Sequence, residues 1–196
     1  MDEFVKPQVA NPIAQNLQLQ GPISLRERLG LGKINLRGAG AAFFRSVEEA
    51  LQQPLPTEPN TTTQSGDRLA FWLGPDEWLV HLPIARVEPH TAALRTALAG
   101  QHTAIVDVSD QSSVLRLAGK HSQTVLAKGC PLDLHPRAFQ PGSCAQSFHL
   151  KAAILIFQVD ETPTYDIQVR RSFVEYLSQA LIEGAQEFQL SALTQA

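Results

Sequence analysis

The sequence predicts an α+β fold made mostly of antiparallel sheets, with helices packed on one side of them. The predicted order is one strand and one helix, followed by three strand–strand–helix units. Strands joined by short turns pair antiparallel, whereas parallel neighbours need a helical crossover between them. The 196 residues include 43% hydrophobic and 18% charged side chains, which is typical of a globular domain and excludes a wholly disordered chain.

The first strand–helix pair is predicted from residues 33–53. Residues 33–37 alternate polar and apolar side chains, as a half-buried strand does. A short helix is predicted over residues 46–53, because Ser46 and Glu49 have the spacing of a capping box. Two prolines would end this helix, and a polar loop is predicted to follow over residues 57–67.

The clearest predicted hairpin covers residues 68–82, with a Gly-Pro-Asp turn at 74–76. We expect its two tryptophans, Trp72 and Trp78, to lie on different faces. One would be in the core and the other would be an exposed anchor at a protein interface. The apolar side chains that would share faces of the hairpin are Leu69, Phe71 and Leu73 before the turn, and Trp78, Val80 and Leu82 after it.

A helix completes the hairpin's unit, and a second unit of the same kind follows it. Pro89 and Gly100 mark the start and the end of a predicted helix. A second pair of strands is predicted over residues 104–108 and 113–117, joined through residues 109–111.

A helix and a loop follow the second pair of strands, and the third unit contains the most apolar strand of the sequence. A helix is predicted over about 120–128, with Gly129 as its left-handed C-terminal cap, and a loop over residues 130–146. Paired strands are then predicted over residues 147–158 and 164–170. The apolar run within the first of them predicts burial on both faces, yet it is far shorter than the roughly 20 residues that span a bilayer.

The last helix begins at a second capping box, formed by Ser172 and Glu175, and carries one apolar stripe. We expect residues 1–22 to form an N-terminal arm or a flexible tail, and residues 23–190 a single domain or two intertwined lobes. Residues 191–196 would be a short tail. The stripe of the last helix consists of Phe173, Leu177, Ala180 and Leu181.

The charge balance disfavours two classes of partner. The chain has 16 basic and 19 acidic residues, a net charge of −3, and no block of like charge. Nucleic acids and anionic membranes both require a positive surface, so we expect the chain to bind neither. The N-terminus lacks the positive region and apolar run of a secretory signal, which predicts a cytoplasmic protein.

A glycine-rich turn after the first strand resembles part of a dinucleotide fingerprint. Gly38 and Gly40 have the right spacing, but Phe43 stands where the third glycine belongs. The nearby acid, Glu58, lies in a polar loop instead of at a strand end. An ordinary loop is therefore predicted.

Five potential metal ligands are spread over the second half of the chain. Structural zinc sites usually begin with two cysteines two to four residues apart, or with two ligands one helical turn apart. Neither pattern occurs, so buried apolar cysteines and surface histidines are predicted, with a metal site as the alternative. A disulfide is disfavoured in a reducing compartment. The residues are His121, Cys130, His135, Cys144 and His149.

A cluster of Asp and Ser residues lies between the second pair of predicted strands. Serine hydrolases need an activated serine beside a histidine, often on a Gly-x-Ser-x-Gly elbow, which this sequence lacks. Asp and Ser are also common in tight turns, so a structural turn is predicted. The cluster comprises Asp107, Ser109, Asp110, Ser112 and Ser113.

Two groups of carboxylates lie near the first and last hairpins. A glycosidase would hold two of them roughly 5–10 Å apart in a cleft, but exposed turn acids are the simpler interpretation. Arg170 and Arg171 follow the last strand and could either bind a partner carboxylate or remain solvated. The carboxylates are Asp76 and Glu77 at the first hairpin, and Asp160, Glu161 and Asp166 at the last.

Two stretches resemble the gamma subunits of heterotetrameric sarcosine oxidases. Residues 71–80 read FWLGPDEWLV and contain the family's W-L-G-P-D-E-W-L hairpin, and residues 125–135 read VLAKGCPLDLH, like its L-x-K-G-C-x-x-D-L-H loop. The two stretches together are specific. Shorter likenesses to the same family occur at residues 34–38, 106–110 and 165–173.

The resemblance covers about residues 23–185 and implies a subunit of a complex that demethylates sarcosine to glycine with oxygen. Such a complex yields hydrogen peroxide and, with tetrahydrofolate, 5,10-methylenetetrahydrofolate. The family places FAD, FMN, NAD and tetrahydrofolate on alpha and beta subunits, and zinc on a delta subunit. The resemblance therefore implies alpha, beta and delta partners, a supporting contact with alpha, and no catalytic, cofactor-binding or metal residues in this chain.

The family's fold is similar to the folate-binding domain of the glycine-cleavage aminomethyltransferase, which leaves an alternative function. The chain would then be a stand-alone folate-binding or one-carbon transfer domain. Asp107 and Asp110 are the candidates for the acid that pairs with the pterin ring. A metal-dependent hydrolase is a third, more remote alternative.

Overall fold

The computed structural model describes residues 22–193, with side chains as far as residue 188. The arm predicted over residues 1–22 lies outside the described residues except for Pro22, and so does the end of the tail, residues 194–196.

Within these bounds the chain forms ten strands and four helices. The strands are β1 (Ser24–Glu27), β2 (Leu31–Arg37), β3 (Thr62–Ser65), β4 (Arg68–Gly74), β5 (Glu77–Pro83), β6 (Ala104–Asp107), β7 (Ser112–Ala118), β8 (Cys144–His149), β9 (Ala152–Asp160) and β10 (Thr164–Arg170). The helices are α1 (Ala41–Leu51), α2 (Val87–Ala97), α3 (Ser122–Ala127) and α4 (Val174–Leu193).

The strands form two five-stranded sheets that pack face to face. Sheet A has the order β1-β7-β10-β9-β8 and sheet B the order β3-β4-β5-β2-β6, with every strand pair antiparallel. Helices α3 and α4 cover the outer face of sheet A, and α1 and α2 cover the outer face of sheet B. A third apolar cluster lies between the sheets. The predicted α+β class with antiparallel sheets is confirmed.

The hairpin β4–β5 has the predicted alternation of faces. Phe71 and Leu79 face sheet A, whereas Trp78 and Val80 face the helices. The prediction that the tryptophans lie on different faces is wrong, because Trp72 pairs directly opposite Trp78. An irregularity in register just before the turn shifts the pairing by one residue, which brings both side chains to the same face.

Helix α1 begins five residues earlier than predicted. Gly40, with a φ of 88°, precedes its first turn, so Ser46 lies inside the helix and the capping box at Ser46 and Glu49 is wrong. The Ser46 hydroxyl instead accepts a hydrogen bond from the Gln101 side chain at 3.2 Å.

The predicted polar loop contains a strand, β3, at the edge of sheet B. Its sequence, TTQS, lacks apolar alternation, but it pairs with β4 along its whole length. The Gln53 amide also donates to the Thr63 carbonyl at 2.7 Å, which ties the end of α1 to this edge. Threonine is enriched in strands whose surface is half-buried, as three of the four β3 residues are.

Strands β6 and β7 do not pair with each other, contrary to the prediction. Strand β6 pairs with β2 in sheet B, and β7 pairs with β1 and β10 in sheet A. The intervening 3₁₀ turn, Ser109–Gln111, therefore carries the chain from one sheet to the other.

The strand predicted over residues 147–158 is two strands, β8 and β9, joined through Leu150, which has a φ of 52°. Leucine rarely takes this backbone conformation, so no residue typical of a turn marks this position in the sequence. Both faces of strand β9 are buried, as predicted. Its Ile156 side chain packs in the core under α4, and its Leu155 side chain packs between the two sheets.

Helices α2 and α4 both follow 3₁₀ turns. Helix α2 starts at Val87, before Pro89, and Ser172 lies in the turn that precedes α4, outside the position expected of a capping residue. Leu177 and Leu181 are buried in the core as predicted, but Phe173 is exposed.

The predicted left-handed cap at Gly129 is wrong, because Gly129 is not one of the six glycines with positive φ in the described part of the chain. The residue is instead a point of close approach. A β carbon built on Gly129 would lie 2.7 Å from the His149 ring.

Replacing Gly129 with alanine should therefore lower the free energy of unfolding by about 2 kcal/mol, because the buried His149 ring would have to shift out of its packed position. Urea unfolding would measure the change. Gly74→Ala is the matched control, since its β carbon would meet only the Glu77 β carbon, at 3.8 Å. Equal effects of the two substitutions would contradict the explanation.

No helix among residues 22–193 is both long and apolar enough to cross a membrane.

Candidate functional site

The interface between the two sheets is apolar on one side and polar on the other. Polar side chains from both sheets meet where the β1–β2 turn closes the interface. We call these residues the inter-sheet polar cluster: Arg28, Lys33, His81, Arg116, Asp166 and Gln168.

Asp166 is the anionic centre of the inter-sheet polar cluster. Its side chain, on β10, is only 5% exposed. Arg116 on β7 donates to both carboxylate oxygens, at 2.7 and 2.9 Å, and Arg28 donates a third hydrogen bond at 2.7 Å. Hydrogen bonding to this carboxylate raises the pKa of the Arg116 guanidinium. The three side chains hold the β1–β2 turn against sheet A.

His81 connects the two sheets. Its Nε2 lies 2.7 Å from the Gln168 amide oxygen of sheet A, and its ring lies edge-on to Phe71, with 4.6 Å between ring centres. Burial lowers the pKa of His81 to about 3, and the Gln168 hydrogen bond only partly opposes this shift. The imidazole is therefore neutral at pH 7 and donates its Nε2 proton to Gln168.

Lys33 holds the crossover between the sheets. Its side chain is buried, and its ammonium donates to the backbone carbonyls of Ser109 and Ser112 at 3.0 and 2.9 Å. Burial lowers the pKa of Lys33, while the charges of Asp110 and Glu27 oppose the shift. With its protons directed at backbone oxygens, Lys33 is an internal support of the turn.

The Asp and Ser cluster lies on this turn. Asp107 accepts hydrogen bonds from the backbone N–H of Ser109 at 2.9 Å and from its hydroxyl at 2.5 Å. The Ser109 hydroxyl thus donates to a carboxylate rather than to a histidine, and itself accepts from the Lys33 backbone. The Asp110 side chain is 88% exposed, with its carboxylate 3.9 Å from Arg171.

Two cavities flank the β1–β2 turn. The first has a volume of about 270 Å³ and is lined by charged residues, by apolar residues that include Leu29 and Ile84, and by Ser112. Two buried oxygens of its lining, Glu27 Oε2 and Ser112 Oγ, have no hydrogen-bond partner among the described residues.

The second cavity, about 360 Å³, opens on the other side of the same turn. Arg28, Arg68 and Arg116 line it together with Asp166 and the neutral His81. The Arg68 Nε atom is buried without a hydrogen-bond partner in the described part of the chain.

The candidate metal ligands do not come together. Among the described residues, no group of three or more His, Cys, Asp or Glu side chains could hold a metal ion. Both cysteines are buried and free, and burial raises the pKa of Cys144 to about 12. His149 is buried behind Gly129, and His121 stacks on Phe188 at 4.2 Å instead of lying free on the surface.

The glycine-rich turn packs against a ring. A β carbon on Gly38 would lie 2.4 Å from Phe43, so the residue that interrupts the dinucleotide fingerprint fills the space beside the turn.

The carboxylates predicted at turns divide into two groups. Asp76 and Glu161 are exposed, and Asp160 accepts backbone N–H groups within the last turn. Glu77 pairs with Arg37 at 2.7 Å. The prediction is wrong for Asp166, which is buried on a strand.

No sequence motif marks the cationic and neutral members of the inter-sheet polar cluster as candidate site residues. In the sequence these members appear as polar residues at alternate strand positions. The same pattern is typical of a strand face exposed to solvent, so it does not identify a buried cluster. Lys33 and His81 pair with each other on neighbouring strands, so a charged residue and a histidine share one face there.

Comparisons with known proteins give one family. The family model described as "Sarcosine oxidase, gamma subunit family" matches residues 37–187. A sarcosine oxidase subunit gamma from Corynebacterium sp. (strain P-1) is 33% identical over 170 residues, which are 86% of this chain and 82% of the relative. That of Corynebacterium sp. (strain U-96) is 35% identical over 171 residues, 85% of this chain and 80% of the relative.

Solved structures agree with the family match. A chain of the heterotetrameric sarcosine oxidase from Corynebacterium sp. U-96, solved in complex with pyrrole 2-carboxylate, superposes with a TM-score of 0.81 and 28% identity, covering 88% of this chain and 89% of that one. The glycine cleavage system aminomethyltransferase T from Bartonella henselae superposes with a TM-score of 0.59 and 15% identity, covering 81% of this chain and 45% of that one. The second likeness concerns the fold alone.

Proposed function

Because the chain belongs to the sarcosine oxidase gamma subunit family, we propose that it is a non-catalytic subunit of a heterotetrameric sarcosine oxidase. The observation that carries the proposal is the likeness to a chain of such an enzyme along nearly the whole length, with a TM-score of 0.81. The complex would convert sarcosine, oxygen and tetrahydrofolate to glycine, hydrogen peroxide and 5,10-methylenetetrahydrofolate. This chain would support assembly by contact with the alpha subunit.

The chemistry of the buried polar groups supports a structural role. Asp166, Lys33 and His81 direct their hydrogen bonds at groups of the same chain. A catalytic acid or base must instead reach a reacting group of the substrate. These residues are therefore better suited to holding the two sheets together than to proton transfer.

The proposal places every cofactor on other chains. FAD, FMN, NAD and tetrahydrofolate would be bound by the alpha and beta subunits, and zinc by the delta subunit, in a cytoplasmic complex. The folate candidates support this placement, because both the Asp107 and Asp110 side chains are exposed and Asp107 is engaged with Ser109. A pterin ring needs an acid inside a pocket that excludes water.

Co-expression tests the proposal. When this chain is tagged and expressed with its alpha, beta and delta subunits, we expect all four to co-purify with the visible absorbance of flavin. Leaving this chain out should reduce the recovery of assembled enzyme. A tagged chain that stays a stable monomer beside the other three subunits would contradict the proposal.

The fold likeness to aminomethyltransferase T keeps the alternative of a stand-alone folate-binding or one-carbon transfer domain. Calorimetry of the isolated chain with tetrahydrofolate distinguishes the two functions. Binding heat that disappears in Asp110→Asn would favour the alternative, whereas the subunit function predicts no heat.

A further inference from the structure

Two large apolar side chains are exposed side by side at the β1–β2 turn, Leu29 from the turn itself and Ile84 from the 3₁₀ turn after β5. Leu29 is 68% exposed and Ile84 is 49% exposed. The backbone N–H of Ile84 donates to the carbonyl of Gly30 at 2.9 Å, which fixes Ile84 beside the turn. We call residues 28–31 with Ile84 the β1–β2 ridge.

The second cavity, beside this ridge, carries excess positive charge. Three guanidinium groups, those of Arg28, Arg68 and Arg116, line it against one buried carboxylate, that of Asp166. The Asp67 carboxylate at the same cavity is already paired with Arg86, at 3.2 Å. The cavity therefore favours an anionic occupant.

Arg68 is the guanidinium of this cavity that is open to a new partner. Arg28 and Arg116 both bind Asp166, whereas Arg68 makes no ion pair with any described residue and donates only a long bond, 3.4 Å, to the Ser65 hydroxyl. Its Nε is buried without an acceptor. Buried donors almost always have a partner, so an acceptor from outside the chain is expected there.

We propose that the β1–β2 ridge is the surface that docks a neighbouring subunit, which inserts a carboxylate side chain beside Arg68 and covers Leu29 and Ile84 with apolar side chains. The inference rests on the proposed function. A carboxylate can accept two parallel hydrogen bonds from one guanidinium, which satisfies Nε. A free small anion would satisfy Arg68 but would leave the two apolar side chains in water.

Charge reversal at Arg68 is the direct test, made in the co-expressed complex. Arg68→Glu should lower the recovery of this chain with the tagged partner subunits at least about tenfold, because it places two carboxylates together in the cavity. Leu29→Asp should have a similar effect through the apolar contact. Neither change removes a strong internal contact, so both variants should fold, as circular dichroism would verify.

The matched control is Arg95→Glu on the outer helix α2, where the arginine is exposed. It makes the same charge change away from the ridge and should leave recovery unchanged.

Three outcomes would overturn the inference. If wild-type chain assembles and both ridge variants assemble equally well, the docking surface lies elsewhere and the proposed function stands. If free succinate raises the melting temperature of the wild-type complex but not of an Arg68→Gln complex, the cavity binds a small anion instead. If wild-type chain is not recovered with the other subunits, the proposed function fails, and the inference fails with it.

Discussion

Replacing Asp166 with alanine should lower the free energy of unfolding by about 3 kcal/mol, because the substitution leaves Arg28 and Arg116 without their common anion. Removing one partner of a buried ion pair costs about 3–5 kcal/mol, because the remaining charge stays in a poorly solvated site. The lower end applies here, since the Arg28 and Arg116 side chains are 34% and 22% exposed and water screens part of their charge.

Urea unfolding at neutral pH would measure this loss. Asp67→Ala is the matched control, because it breaks an exposed pair with Arg86 and should cost less than about 1 kcal/mol. Asp166→Asn should fall between the two, since an amide oxygen still accepts a hydrogen bond. If Asp166→Ala is no more costly than Asp67→Ala, the inter-sheet polar cluster does not stabilise the fold as argued.

The elements that local signals define could be predicted from the sequence. The β4–β5 hairpin is an example, because alternation on both strands and a proline-containing turn agree with each other. Pairing at a distance could not be predicted in this way. Strands β6 and β7 are separated by a short turn, as in a hairpin, but each finds its partners in a different sheet.

The inter-sheet polar cluster could not be predicted for a related reason. A strand with one polar face is usually solvated on that face, so Lys33 at the start of an alternating strand predicts exposure. In this fold a second sheet covers that face, and Lys33, His81 and Asp166 become buried. Which face a second layer covers depends on tertiary packing, and the strand's own sequence does not encode it.

The two stretches that carried the family resemblance are packing elements in this structure. In the first, Phe71 lies between the sheets and Trp78 lies under the helices. In the second, Leu126 and Leu134 lie in the core of sheet A, and Gly129 makes room for His149. Both stretches therefore stabilise the fold through packing, which agrees with the proposed role of a non-catalytic subunit.

Acidification should destabilise the protein through His81. Burial lowers its pKa from 6.5 to about 3 in the folded chain, whereas the unfolded chain takes up the proton near pH 6.5. Between these values the unfolded state binds more protons, so stability falls as the pH falls. The slope approaches about 1.4 kcal/mol per pH unit, and the free energy of unfolding should be about 2.3 kcal/mol lower at pH 4.5 than at pH 6.5 from this group alone.

Unfolding in urea at a series of pH values would measure that slope, with His81→Gln as the comparison. Glutamine keeps a donor towards Gln168 but cannot titrate, so the variant should start less stable at pH 7 and lose less on acidification. The stability of the His81→Gln variant should still fall with pH, but less steeply, because burial also lowers the pKa of His149 and protonation of His149 destabilises the fold in the same way. Parallel pH profiles for wild type and variant would show that His81 is accessible to protons in the folded state, because the slope depends on its exclusion from water.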